Sequence, residues 1–212
     1  MGIKIIFFDM DGVLTPEKSS WHFVHRKLEV DNSENLQKYL NNEITYDEFF
    51  KLDLNLWISR FGEMKKETIV NILKQIEVRE CVYDLINTLK NEGIKAIIIS
   101  GGISWLADYI KENYNFDEAY ANEILTDNRG YIIPEGKINV IPDKKNLIIR
   151  NILKKYNVKK EETMSVGDSS DDYSMYLETG KFFSFNSNDA RIKRISSGDI
   201  DKNLMEIIRY ID

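Results

Sequence analysis

The feature that most constrains the fold is a short apolar run near the start of the chain that ends in two acids. Residues 3–8 are almost all apolar and rich in β-branched and aromatic side chains, and Asp9 and Asp11 follow. A strand of this kind is buried on both faces, as in a parallel sheet covered by helices. Three later segments repeat the pattern and predict further strands: residues 95–99, 163–166 and 182–185.

Segments with helical spacing lie between these predicted strands: residues 82–91, 103–114 and 146–156. Alternating strands and helices are typical of a doubly wound α/β domain with a parallel sheet. Residues 118–141 break the helical spacing, with a turn at residues 128–130, and predict a hairpin at the edge of the sheet.

Residues 16–79 interrupt the alternation between the first two strands. Four helical segments are predicted there: residues 21–30, 33–40, 45–60 and 65–76. Thr45 and Glu48 have the spacing of a capping box at the start of the third segment. We therefore expect an α/β core domain of residues 1–15 and 80–212 and an inserted helical cap of residues 16–79.

The bulk composition narrows the possible partners and the compartment. The 212 residues carry a formal net charge of −6, which weighs against nucleic acid or an anionic membrane as a partner. Cys81 is the only cysteine, so an internal disulfide is impossible and a reducing compartment is favoured. Because no apolar segment approaches the roughly 20 residues of a membrane span, we expect a cytoplasmic protein. The composition does not determine the oligomeric state.

Acidic side chains follow the ends of two predicted strands. Asp9 and Asp11 follow the first strand, and Asp168 follows the third, with Asp171 and Asp172 close behind. Because the carboxyl ends of parallel strands meet at one edge of the sheet, we expect these carboxylates to converge. Their mutual repulsion favours a hard divalent cation, and Mg²⁺ suits a site of few carboxylates and a substrate phosphate. Which of Asp171 and Asp172 is the second acid of this loop at the metal stays open.

An anion site is predicted beside the acids. Ser100 offers a hydroxyl, and Gly101 and Gly102 allow backbone N–H groups to approach a phosphate. The site still needs a positive side chain, for which Lys145 is favoured over the adjacent Lys144. The predicted ligand is a small-molecule phosphate ester.

Four segments together resemble the motifs of haloacid dehalogenase-superfamily phosphatases. Residues 9–15 read DMDGVLT and resemble the first motif, DxDGxx[TV], and Ser100 with its two glycines resembles the second. Lys145 falls at the third-motif lysine, and residues 167–172, GDSSDD, are similar to the fourth motif, GDxxxD. Residues 172–175, DYSM, follow the pattern of the phosphoserine phosphatase-like members. The resemblance covers essentially the whole chain, including a helical cap between the first and second motifs.

The resemblance implies a role for each of these residues. Asp9 would attack phosphorus and form an aspartyl-phosphate, and Asp11 would act as general acid and then base. The implied Mg²⁺ ligands are Asp9, the Asp11 carbonyl, Asp168 and, directly or through water, Asp172. The implied phosphate ligands are Ser100, Gly101 and Lys145.

The cap departs from the pattern of serine-specific members. Such members place a Glu shortly after the first motif and an Arg in a cap helix, and these positions fall on Lys18 and near Asp53. Because a buried substrate carboxylate would be repelled by Asp53, we expect phosphoserine to be a mediocre substrate. Phosphate esters that carry an amine or hydroxyls are expected to serve as well or better.

Which cap residues face the substrate is less determined by the sequence. Glu17, Trp21 and Asp53 are the candidates for contact with the substrate, and a role for His22 or His25 stays open. Two other functional classes also stay open: a phosphotransferase or mutase that passes the phosphoryl group to a sugar, and a non-catalytic phospho-ligand-binding module. The binding module is disfavoured because Asp9, Ser100 and the lysine are all present.

Overall fold

The structure is a computed structural model of the chain and describes residues 2–198 and 200–211. A six-stranded sheet with the order β4-β3-β2-β1-β5-β6 forms its centre. The strands are β1 (Ile5–Phe8), β2 (Lys95–Ile103), β3 (Glu118–Thr126), β4 (Ile132–Lys137), β5 (Thr163–Gly167) and β6 (Lys181–Ser184). All neighbours pair in parallel except β3 and β4, which form the predicted antiparallel hairpin at the sheet edge.

Four helices lie within residues 16–79, as the sequence predicts: α1 (Ser20–Lys27), α2 (Ser33–Leu40), α3 (Tyr46–Phe61) and α4 (Lys66–Leu73). The core contributes the other α-helices: α5 (Cys81–Asn91), which precedes β2, and α6 (Ser104–Tyr114), α7 (Asn146–Tyr156), α8 (Tyr173–Tyr176) and α9 (Ala190–Ile195), which follow strands. Within the described part of the chain, no helix combines the length and the apolar character that crossing a membrane requires.

The sheet is covered on both faces, which explains the uninterrupted apolar sequence of β1. Ile6 and Phe8 belong to one hydrophobic cluster, with side chains of α5 and α6. Ile5 and Phe7 belong to a second cluster, with side chains of α7 and α9. Because successive side chains of a strand point to opposite faces, each face of β1 is buried under its own layer of helices. The predicted doubly wound α/β core is confirmed.

Strand β2 continues beyond the point where the sequence predicts its end. Its pairing with β3 shifts register between Ile99 and Ile103, so the Ser100–Gly–Gly turn forms an irregularity within the strand. A Cβ on Gly102 would lie 2.8 Å from a carboxylate oxygen of Asp11 and 2.6 Å from the Ser20 hydroxyl. Glycine is required here because the backbone passes so close to the acidic loop.

The cap rests on the edge hairpin of the core. Helix α3 begins at a capping box in which Thr45 and Glu48 bond to each other's backbone N–H groups, as predicted. Farther along α3, Phe50 packs against β4 so closely that a Cβ on Gly136 would lie 2.2 Å from its ring. The cap is thereby positioned over the carboxyl ends of β1 and β2.

Candidate active site

Asp9 is the first residue after β1 and starts a tight turn. The backbone of Met10–Leu14 leaves helical geometry at Asp11 and Gly12, and the Asp9 carboxylate accepts a hydrogen bond from Met10 N–H at 2.7 Å. Gly12 adopts φ +79°, and a Cβ there would lie 2.3 Å from Oδ2 of Asp168. The glycine therefore permits both the left-handed backbone and the close approach of the loop that follows β5.

Lys145 is the cation at the centre of the site. It is 2% exposed, and its Nζ lies 2.9 Å from Oδ1 of Asp9 and 2.6 Å from Oδ1 of Asp172. Burial alone would lower the pKa of Lys145, but Asp172 and Asp9 outweigh burial and raise it, so the ammonium stays charged. The neighbouring Lys144 is exposed, so the structure brings Lys145 rather than Lys144 into the site.

Asp172 organises the loop after β5. One of its carboxylate oxygens binds Lys145, and the other accepts hydrogen bonds from the backbone N–H groups of Asp168 at 2.8 Å and Ser169 at 3.1 Å. Asp172 is fully buried, whereas Asp171 stands at the wall of the adjacent cavity. Asp172 is therefore the acid of this pair that lies in the carboxylate cluster.

Three carboxylates could hold a metal ion. Oxygen atoms of Asp9, Asp168 and Asp172 all lie within 4.8 Å of one another. Burial raises the pKa of Asp9 and of Asp168. Lys145 opposes this rise in the pKa of Asp9, and Lys18 opposes it in the pKa of Asp168. The Nζ of Lys18 lies 2.6 Å from Oδ2 of Asp168. Converging oxygen ligands with unfavourably buried negative charge fit a hard divalent cation.

Asp11 is a carboxyl group that can exchange a proton near neutral pH. Its Oδ2 accepts hydrogen bonds from the backbone N–H and the hydroxyl of Ser20, each at 2.8 Å. Its Oδ1 is buried and has no hydrogen-bond partner among residues 2–198 and 200–211. Burial raises the pKa of Asp11 to about 6, against the opposing effect of the Ser20 bonds. A group with such a pKa can both donate and accept a proton at the pH of the cell.

The turn after Ile99 orients groups for an anion. Gly102 N–H donates to the Ser100 hydroxyl oxygen at 3.0 Å, which leaves the hydroxyl hydrogen for another acceptor. The Gly101 carbonyl belongs to the same peptide group as the Gly102 N–H and points in the opposite direction. It accepts hydrogen bonds from Trp21 Nε1, Tyr46 OH and Asn122 Nδ2 at 3.3, 3.2 and 3.1 Å. Because the peptide is planar and trans, these bonds also fix the direction of the Gly102 N–H group.

A cavity of about 530 Å³ lies between these groups and the cap. Its cap wall is largely aromatic and includes Trp21, Tyr39, Tyr46, Phe49 and Phe50. Of the cap candidates from the sequence, Trp21 and Asp53 line the cavity, and His22 does as well. Glu17 is not among the lining residues, because its carboxylate binds Arg26 at 2.9 Å. His25 lies behind the wall and is 2% exposed.

Sequence reasoning missed two residues of the site. Tyr46 and Asn122 bond to each other at 3.1 Å, and both bond to the Gly101 carbonyl. The only signal for Asn122 is an amide between residues 119–121 and Glu123 in a predicted edge strand, and Tyr46 resembles any aromatic residue at the start of a helix. Neither pattern separates a functional residue from an ordinary structural one.

A comparison with protein families matches residues 3–178 to a family described as haloacid dehalogenase-like hydrolases. The chain belongs to this family. The matched region contains all four motifs and the cap. The same region contains the acidic cluster, Ser100 and Lys145, which the structure brings together at the carboxyl edge of the sheet.

Curated relatives within the hydrolase family carry a common name. The phosphoserine phosphatase of Archaeoglobus fulgidus is 26% identical over 94% of this chain and 57% of its own length. That of Methanocaldococcus jannaschii is 25% identical over 98% of this chain and 97% of its own length. The chain thus spans little more than half of the first relative and nearly all of the second.

A solved structure shares the fold. The phospho-aspartyl intermediate analogue of phosphoserine phosphatase superposes with a TM-score of 0.81 at 24% identity and covers all of both chains. The family match, the relatives and the fold make the chain a haloacid dehalogenase-like hydrolase that is similar to proteins named phosphoserine phosphatase. They do not favour the phosphotransferase or the non-catalytic alternative.

Proposed function

We propose that the chain is a Mg²⁺-dependent phosphatase that hydrolyses small-molecule phosphate monoesters through an aspartyl-phosphate on Asp9. The observation that carries the proposal is the buried Lys145 ammonium held between Asp9 and Asp172. A cation fixed beside a carboxylate at the end of a strand provides for both the nucleophile and the negative charge of a transferring phosphoryl group. The phosphatases among the relatives and the phospho-aspartyl analogue with the same fold support the same chemistry.

In the first step, an oxygen of the Asp9 carboxylate attacks phosphorus while the ester oxygen leaves. The new bond is the acyl phosphate, and the bond that breaks joins phosphorus to the alcohol oxygen. Asp11, protonated near its pKa of about 6, gives its proton to the leaving oxygen. The unpartnered Oδ1 is the atom we assign to this transfer, because Oδ2 is engaged by Ser20.

In the second step, Asp11 takes a proton from a water molecule that attacks the aspartyl-phosphate. Inorganic phosphate leaves, and both aspartates return to their starting states. The Ser100 hydroxyl, the Gly101 backbone N–H group and Lys145 bind the phosphoryl oxygens in both steps. Because they are held in place before the substrate arrives, little reorganisation accompanies the transition state.

The Asp9 and Asp168 carboxylates and the Asp11 backbone carbonyl would hold Mg²⁺. Asp172 has both oxygens engaged by Lys145 and backbone N–H groups, which favours contact with the ion through water over direct binding. When bound, the ion supplies positive charge to the transferring phosphoryl oxygens. Lys145, whose Nζ contacts Asp9, supplies further positive charge for the same phosphoryl group.

The test is phosphate release from an aryl phosphate with Mg²⁺, followed by acid quenching during turnover. We expect release of free phosphate and a labelled phosphoryl group on the peptide that contains Asp9. Addition of an acceptor alcohol should not divert the phosphoryl group. Transfer to the alcohol in place of release, or binding without turnover, would contradict the proposal.

A further inference from the structure

A buried carboxylate without a cationic partner lies in the wall of the cap cavity. Asp53 on α3 is 2% exposed and borders the cavity. Its Oδ2 accepts hydrogen bonds from His25 Nε2 and Asn32 Nδ2, each at 3.0 Å. Its Oδ1 is buried and has no hydrogen-bond partner within the described part of the chain. An ionised carboxyl group in such surroundings is costly unless a ligand completes its bonds.

The hydrogen-bond network shows that His25 does not neutralise Asp53. Trp57 Nε1, which can only donate, lies 2.9 Å from His25 Nδ1. His25 Nδ1 is therefore an acceptor, and the ring hydrogen is on Nε2, where it faces Asp53. The imidazole is neutral in this arrangement, and the Asn32 amide is neutral too. No lysine or arginine lies within salt-bridge distance of Asp53 in the residues that the structure describes.

The rest of the cap wall suits an organic cation. The aromatic residues Trp21, Tyr46, Phe49 and Phe50 line the same cavity as Asp53, and Phe49 and Phe50 precede Asp53 by one helical turn on α3. Aromatic faces attract ammonium groups, and a carboxylate adds charge and a hydrogen-bond acceptor. Lys18, which also lines the cavity, donates to Asp168 at 2.6 Å and to the Asn186 carbonyl at 3.2 Å.

We propose that Asp53 is the anionic end of an ammonium subsite, and that the substrates are phosphate monoesters whose leaving alcohol carries an alkylammonium group. The phosphate lies at Asp9 and Lys145, and the ammonium lies against Oδ1 of Asp53 with the aromatic wall around it. This inference rests on the proposed phosphatase function and specifies its substrate class. A substrate carboxylate next to the ammonium group would not improve binding, because the negative charge of Asp53 would repel it.

The experiment compares ethanolamine phosphate with n-propyl phosphate, which replaces the ammonium by a methyl group of similar size. In the parent protein with Mg²⁺, we expect kcat/KM for ethanolamine phosphate to be about thirtyfold higher, the effect of one charge-assisted hydrogen bond shielded from water. Serine phosphate should not exceed ethanolamine phosphate. Equal rates for the first two esters, or a preference for serine phosphate above about a hundredfold, would overturn the inference without any variant.

Two variants locate the effect. Asp53→Asn should bring the ratio of the two esters close to one through a loss of kcat/KM for ethanolamine phosphate. Asp47→Asn, which removes the same charge from the exposed side of α3, is the matched control and should keep the ratio. If folded Asp53→Asn loses activity equally toward both esters, Asp53 is only structural and the subsite is wrong. If the parent releases no phosphate from any ester, including an aryl phosphate, the proposed function itself fails.

Discussion

At the scale of single residues, the site depends on side chains whose charge is held away from water. Lys145 compensates Asp9 and Asp172, and the three groups have almost no exposed surface. Removal of one charge from this set leaves the other charges uncompensated. The effect of a substitution on stability and on activity therefore depends on which buried group it changes. Asp9 and Asp11 illustrate the contrast.

Asp9→Asn is predicted to retain the fold and to lose at least about a thousandfold in turnover. The amide oxygen can still accept from Met10 N–H and Lys145, as the carboxylate does, but an amide is a poor nucleophile. Turnover of an aryl phosphate and the melting temperature measure the two effects. Fluoroberyllate with Mg²⁺ should raise the melting temperature of the parent only. Normal turnover in a preparation verified by mass would contradict the mechanism.

Asp11→Asn is predicted to increase stability at neutral pH in metal-free protein. Burial raises the folded-state pKa from 3.8 to about 6, so the carboxyl group's contribution to the free energy of unfolding falls as the pH rises from about 4 to about 6. The asparagine does not titrate. The unfolding free energy of the variant minus that of the parent should therefore grow by up to about 3 kcal/mol between pH 4 and pH 7.

Urea titrations at the two pH values, both with a chelator, measure this difference. Comparison between pH values cancels any constant effect of the new amide group. Asp47→Asn, on an exposed helix face, is the control and should show no such growth. An unchanged difference between variant and parent would show that Asp11 is not held in an unfavourable ionised state.

At the scale of secondary structure elements, the Gly101 carbonyl links three parts of the chain. Trp21 comes from α1, Tyr46 from α3 and Asn122 from β3, and all three donate to this one oxygen. The bonds tie the two cap helices to the turn that presents Ser100. The position of the cap and the geometry of the anion site are therefore coupled.

Tyr46→Phe is predicted to lower kcat/KM for an aryl phosphate about fivefold, the effect of one neutral hydrogen bond of about 1 kcal/mol. The ring stays in the cavity wall, but the hydroxyl no longer orients the Gly101 peptide. Tyr39→Phe is the matched control, because Tyr39 lines the same cavity and its hydroxyl bonds to none of the described residues. An equal loss in both variants would assign the effect to the wall and not to the Gly101 carbonyl.

At the scale of the whole molecule, the two crossings between core and cap lie side by side. Arg79 donates from its backbone to Leu14 O at 2.9 Å and from its guanidinium to Val13 O at 2.9 Å and Gly12 O at 3.2 Å. We propose that these crossings bound a cap domain of residues 16–79 and a core domain of residues 1–15 and 80–212. A junction near the nucleophile would let the cap move while the catalytic turn keeps its shape.

Native-state hydrogen exchange tests the proposed domains. Amides of α1 to α4 are expected to open at a lower free energy than those of β1 and β2, because the cap has the smaller core and α2 has no buried residue. The opening energies within the cap should also resemble one another. One common opening energy across cap and core would contradict the division into domains.

Removal of divalent ions is predicted to abolish phosphate release, and Mg²⁺ to restore it. Ca²⁺ should restore little, because it favours more ligands and longer bonds than Asp9 and Asp168 can offer with a phosphate. Asp168→Asn should raise the Mg²⁺ concentration needed for half-maximal activity. Full activity after exhaustive chelation would exclude the metal site.

The sequence by itself determined the α/β class, the inserted helices and the acidic cluster. These depend on local patterns: apolar strands such as β1, helical spacing, and acids directly after a strand, whose convergence follows from parallel pairing. Only the tertiary structure chose Asp172 over Asp171 for the buried cluster, since neighbours in sequence differ in which way their side chains face. It also placed in that cluster Lys145, which the sequence already favoured over Lys144. It also brought Tyr46 and Asn122 to the Gly101 carbonyl and left Oδ1 of Asp53 without a partner. Such contacts join residues far apart in the chain, and no local pattern encodes them.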